Sequence, residues 1–230
     1  MSRQSRRRSG FSAPPSIAPP PWTGATCLEL VHEFNGRFIE EVVESARESD
    51  WRKAPAMVRM QPGLWVNLDA AARRRASRCP LLLADIRFRN APWWQRLCND
   101  ASWRDAPPGP TRLFLRSQAV ELTRDALIVA WRTAQQDTRL AVTLLGMSGE
   151  VAGIVATLGL GHLRRIADLH HRHLRPRWDG SSTFWGRLLR AASRDDRQAL
   201  CDLHLHAWQL ADADSGSAAS AAKATTGLRD

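Results

Sequence analysis

The chain has 230 residues, 33 basic against 23 acidic side chains and a formal charge of +10, and 31 of the basic residues are arginine. That length buries an ordinary core, and because the charge is spread along the whole chain, any nucleic-acid footprint has to be a local patch. No apolar run reaches the roughly 20 residues that span a bilayer, and Cys27, Cys79, Cys98 and Cys201 form no CxxC pair, so a membrane protein and the commonest thiolate metal motifs are set aside in favour of a cytoplasmic chain.

Residues 1–24, basic and then proline-rich, lack the apolar stretch of a secretory leader and are expected to form a disordered arm in which Arg6, Arg7 and Arg8 could touch phosphate. From Thr26 to about Trp51, Leu28, Val31, Phe34, Phe38, Val42 and Val43 recur at helical spacing among charged residues, which predicts an amphipathic helix. Pro55, Pro62 and Gly63 interrupt the pattern. The run DAAARRRASR from Asp69 reads as a capped helix whose Arg73, Arg74 and Arg75 must splay, because adjacent residues do not share a face.

Pro80 to Phe88, PLLLADIRF, is either a short strand or a buried helix, and periodicity does not separate the two. Pro92 suits the first turn of a helix carrying Trp93 and Trp94. Ten tryptophans without a tyrosine are read as core or interface anchors before base-stacking platforms. The turn-rich stretch from Asp105 to Pro110 marks a boundary between an N-terminal extension over 25–110, helical or α+β, and a helical unit over 111–211.

Leu113 to Leu145 reads as one long helix, ended by Gly146. Ser148 caps the next, with Val151, Ile154, Val155 and Leu158 on one face, and Gly159 to Gly161 breaks the chain again. A second short helix turns Leu163, Ile166 and Ala167 inward and leaves Arg164, Arg165, Asp168 and His171 outward, until Pro176 stops it. Ser182 or Thr183 caps a further helix burying Phe184, Leu188 and Leu189, and Ser193 with Asp196 starts a last one that ends near Leu210. Residues 212–230, rich in alanine, serine and threonine, are expected to be a disordered tail.

Three constellations invite a chemical reading. Cys201 with His204 has the spacing of a zinc-ligand pair, and His170 with His173 would have to complete it, but the plainer reading is solvated helix-end histidines and no cofactor. Residues 148–173 have the outline of a helix-turn-helix that could bind DNA on its own. Nothing forms a nucleophile elbow, a glycine-rich phosphate loop or a metalloprotease helix, so a non-enzymatic role is expected.

Between about Glu121 and Trp208, Ala130, Arg132, Gln136, Asp137, the Leu145-Gly146 helix end, Glu150, Ala152, Ala156, Leu158, Leu160, Ala167, Arg177, Trp178 and Asp179 together resemble the FlhD family of flagellar transcriptional activator subunits. The resemblance implies a mainly α fold whose C-terminal half is an intertwined helical dimer or a higher assembly. It further implies an FlhC-like partner subunit and promoter DNA bound as part of the complex, with activation of motility genes as the function. Carried across, the family's DNA-contacting positions fall on Asp137 and His170. Arg139, Arg164, Arg165, Arg172, Arg175 and Arg177 are the arginines around them expected to meet phosphate. The family's Phe-Arg pair aligns with Thr143 and Leu144, and Leu174 stands where enteric members carry an intersubunit cysteine. Those departures, with the long N-terminal extension, also admit an interaction protein that regulates a secretion or motility system without touching DNA.

Overall fold

A computed structural model describes residues 24–48, 54–100, 103–105 and 113–226, with side chains from Thr26 to Ala211 except at residue 182. The expected N-terminal arm and the turn-rich 106–110 stretch lie outside the described residues, apart from the arm's last residue, Gly24. The described chain is mainly helical. In order, it forms α1 (Gly24–Glu48), α2 (Ala56–Arg59), α3 (Pro62–Val66), α4 (Ala70–Ser77), β1 (Ala84–Asp85), α5 (Ala91–Asn99) and α6 (Arg116–Gln136). Then come α7 (Thr138–Leu145), α8 (Gly149–Thr157), α9 (Leu160–His170), a 3-10 turn at His171–His173, β2 (Arg175–Pro176), α10 (Ser182–Arg194) and α11 (Arg197–Thr226).

The helices stack in a row. α10 packs on α4, α4 on α1, α1 on α6, and α6 on α8 and α9. The stripe that makes α1 amphipathic explains its place: Cys27, Val31, Phe34, Phe38, Ile39, Val42 and Val43 are all buried. A single apolar cluster runs from Cys27 to Ala211. The boundary expected near residue 110 therefore does not divide the core, because the apolar face of α6 is covered by α1 from the other side of that boundary.

Several local expectations change for physical reasons. The long helix over 113–145 breaks at Asp137, whose backbone is extended and whose carboxylate accepts from the Arg139 amide, so one helix becomes α6 and α7. Ser181, one residue before the expected cap, accepts from the Phe184 amide at the start of α10. Ser193 turns back onto the Leu189 carbonyl, and Asp196 alone accepts from the Ala199 amide at the start of α11. The tail expected to be disordered from residue 212 continues α11 as far as Thr226. Alanine has the highest helix propensity, and no proline interrupts that run. Gly146, left-handed at φ 69°, and Ser148, accepting from the Val151 amide, end α7 and start α8.

Pro80 to Phe88 is neither helix nor full strand. It threads the core as an irregular run of bends that turns at Arg87 (φ 52°), with Leu81, Leu82, Leu83, Ala84, Ile86 and Phe88 buried, and only Ala84 and Asp85 pair, antiparallel, with Pro176 and Arg175. A buried segment without regular structure must satisfy its backbone elsewhere. The Asn35 amide on α1 donates to the Cys79 and Leu81 carbonyls at 3.1 and 3.0 Å, and its oxygen accepts from the Leu83 amide at 2.9 Å. Leu82 donates to the Leu144 carbonyl, Arg177 donates to the Leu83 carbonyl, and Ser148 donates to the Phe88 carbonyl. These bonds join the two halves of the chain.

Candidate functional site

The eight expected DNA contacts come from several elements, and three of them, Arg172, Arg175 and Arg177, line one broad cleft with Arg87, Arg104 and Arg116. Asp137 is exposed but serves as the cap of α7, with Arg139 exposed in the following turn. Arg164 and Arg165 stand on the outer face of α9 beside Leu160, which is 62% exposed, and Arg172 is exposed in the 3-10 turn. Arg175 is exposed, and its Nε donates to Asp85 at 3.0 Å across the two-stranded pair.

His170 and Arg177 are corrections. Only 6% of Arg177 is exposed; its guanidinium lies 4.5 Å from the Trp178 ring centroid and against Gly146, where a Cβ would come within 2.1 Å of it. This explains the glycine at Gly146 twice over, by its left-handed backbone and by the space the arginine takes. His170 is 2% exposed, edge-on to Trp93 at 5.3 Å and 5.8 Å from His173, with Trp103 at 5.9 Å. Neither residue is placed to reach a phosphate. The expectation of solvated histidines fails for this pair because Trp93 and Trp103 close over it.

Burial sets the charge of this cluster. Loss of solvent pushes His170 below its ordinary pKa, with Arg104 and Arg87 adding to the effect and Trp103 and Asp105 opposing it. His173 is pushed down to about 4, first by burial and then by Arg87 and His170. Both rings are neutral at pH 7, so they act as packing aromatics and not as cations. His204 is also lowered, by burial and then by His32. Among the described residues, no group of three or more histidine, cysteine, aspartate or glutamate side chains is placed to share a metal ion, so the weighed zinc set does not come together.

The 148–173 segment keeps its two short helices, but each is seated on α6. What α9 shows to solvent is Leu160, Gly161, His162, Arg164, Arg165 and Asp168. Beside it lies a water-sized void of about 10 Å³ lined by Leu97, Leu158, His162, Arg165, Ile166, Leu169 and His170.

Sequence reasoning missed a charged face on α10. Arg187, Arg190 and Arg194 recur at i, i+3 and i+7 on the exposed side of α10, opposite the buried Phe184, Trp185, Leu188 and Leu189. Arg197 follows in α11, while Arg74 and Arg78 are exposed at neighbouring α4. The spacing was present in the sequence, but that helix had been read for its apolar side alone. Of the triple arginine, Arg73 donates to the Leu68 carbonyl and Arg75 to the Ala192 carbonyl, so two of the three hold structure and only Arg74 is fully exposed.

No single helix among the described residues is long and apolar enough to cross a membrane. Comparison with family models, with curated proteins and with solved structures finds no match to this chain.

Proposed function

We propose that the chain is a non-catalytic helical regulator that acts by binding protein in a secretion or motility system, with its FlhD-like half serving as a scaffold and not as a DNA-reading surface. The burial of His170 and Arg177 carries this reading, because it removes one of the two positions the resemblance assigns to promoter contact and one of the flanking arginines. Asp137, the other assigned position, is an anion engaged as a helix cap. The resemblance supplies the kind of system; the exposed Leu160 on α9, on the same helix as the exposed Arg164 and Arg165, supports the kind of contact.

A second reading keeps the FlhC-like subunit and promoter DNA. It is favoured by Arg139, Arg164, Arg165 and Arg172, which are exposed. If they contact phosphate, neutralising Arg164 and Arg165 lowers the slope of log affinity against log salt by about one unit apiece. The protein-binding reading expects no such change.

Affinity capture of the tagged full-length chain from its own cells, with mass spectrometry and sequencing of cross-linked DNA, separates the two. Secretion or motility proteins without promoter enrichment support the protein-binding reading. An FlhC-like subunit recovered with motility promoters overturns it.

A further inference from the structure

We propose that the cleft between the start of α6 and the 3-10 turn at His171–His173 binds a small phosphorylated ligand, its phosphoryl group held by Arg116 and Arg172. The cleft has a volume of about 1650 Å³, and among the described residues seven arginines and five carboxylates line it. Internal bonds engage many of these groups. Arg175 is held by Asp85 and Arg87 by Asp105, Arg89 donates to the Gly146 and Ala211 carbonyls, and Asp179 accepts from the Met57 amide. Arg104, Arg116 and Arg172 are exposed, and none of them makes an ion pair with a described carboxylate.

The fold brings Arg116 and Arg172 to one place. The 3-10 turn packs on α6, and His171, which lines the same cleft, feels both guanidiniums. Its ring is pushed below the ordinary histidine range by burial first and then by these two cations, against its hydrogen bond to the Asp168 carbonyl. An anion seated between them relieves that crowding of positive charge. The helix adds donors of its own. Arg116 opens a helix of 21 residues whose N-cap, Leu115, carries no side-chain acceptor and whose first turn holds no acidic residue. Its first amides are left for an outside acceptor, at the end where the helix dipole favours negative charge. His173 also lines the cleft; it is 2% exposed, and its buried Nδ1 has no hydrogen-bond partner among the described residues.

Donor number selects the ligand. Two guanidiniums, each with a fork of N–H groups, together with helix amides exceed what one carboxylate accepts, whereas a phosphoryl group offers three oxygens and close to two charges. Half-buried Phe114 and Leu169 and the 67% exposed Leu115 line the same cleft, so the rest of the ligand meets an apolar wall. A nucleic-acid strand fits less well. Glu48, Asp105, Asp168 and Asp179 share the lining, and a strand carrying a phosphate at every nucleotide would meet that like charge where a single phosphoryl group does not.

Isothermal titration calorimetry of the full chain with pyrophosphate, ADP, hexyl phosphate and adenosine tests the site. The three phosphorylated probes are expected to bind, and adenosine is not. Both arginines are exposed, so R116A and R172A should keep the helicity seen by circular dichroism while each weakens binding by about tenfold. R187A/R194A, on α10 and outside the cleft, should leave binding unchanged. ADP binding tighter than hexyl phosphate supports the site with a nucleotide as its ligand; the reverse supports it with an alkyl phosphate. Absence of binding by every phosphorylated probe at about 1 mM overturns the proposal. So does binding that R187A/R194A weakens as much as R116A and R172A do. Tighter binding of a glutamate-rich peptide or a DNA duplex, lost in R116A and R172A, also overturns it. The site stands apart from the regulatory reading, since capture of partners from cells can fail while the purified chain binds the phosphorylated probes.

Discussion

Replacing Asn35 with alanine tests whether the irregular 80–88 segment is held from α1. The side chain is fully buried and makes three hydrogen bonds, all to the backbone of residues 79, 81 and 83. Alanine removes all three partners at once and leaves one amide and two carbonyls facing apolar surroundings. A net contribution of about 1 kcal/mol per hydrogen bond, plus the added desolvation of groups left unpaired, gives a loss of about 3–5 kcal/mol. With a urea dependence of about 2 kcal/mol/M for a domain of this size, the midpoint of unfolding falls by about 1.5–2.5 M. Aspartate is no remedy, because its charged oxygen would face the Cys79 and Leu81 carbonyls that now receive donors. Urea unfolding followed by circular dichroism and tryptophan fluorescence measures the change. A loss below about 1 kcal/mol would show that water or another side chain satisfies the segment, and the argument that Asn35 clamps it would be wrong.

Two glycines should respond in opposite directions. Gly146→Ala should cost about 1–2 kcal/mol or more, from the left-handed backbone and displacement of Arg177, whereas Gly153, in mid α8 with open space at its Cβ, should gain about 0.5–1 kcal/mol as alanine. Thermal unfolding of the pair reads both, and equal effects would refute the distinction. Because His170 and His173 are held below the ordinary histidine pKa, the unfolded chain binds more protons than the folded one as pH falls from about 6.5 towards 4. Their stabilising contribution is thus complete above about pH 6.5 and is lost through that interval, so H170Q/H173Q should flatten the fall in urea midpoint there. An unchanged slope would place the titration elsewhere. Thiol titration of the native chain should find Cys98 and Cys201 reactive, with Cys27 and Cys79 released only on unfolding, since both are buried and burial pushes Cys79 up to about 11; four fast thiols would contradict the core. Arg175→Ala should cost less than about 1 kcal/mol, as its partner Asp85 is met at the surface, and a larger loss would mean the two-stranded pair depends on that bridge.

Much of the local structure was legible. The stripe of α1, the cap at Ser148, the stop at Gly146 and the inward faces of α9 and α10 follow from spacing and from residues whose backbone preferences are local. The 80–88 segment was not legible, because a wholly apolar run looks the same whether its backbone bonds lie within a helix or are supplied by Asn35, Leu144 and Arg177 from distant elements. The site was less legible still. Arg177 and Arg172 look alike in sequence, and only the approach of Gly146 and Trp178 buries the first while the second stays in water.

By itself the sequence determined where most of the longer helices lie and which side of each is apolar, since propensity, capping and periodicity act over a few residues. Tertiary structure decided which charges are available. Burial of His170 by Trp93 and Trp103, and exposure of the arginines of α10 beside α4, arise from contacts between residues tens of positions apart, and charge acts through what surrounds it in space.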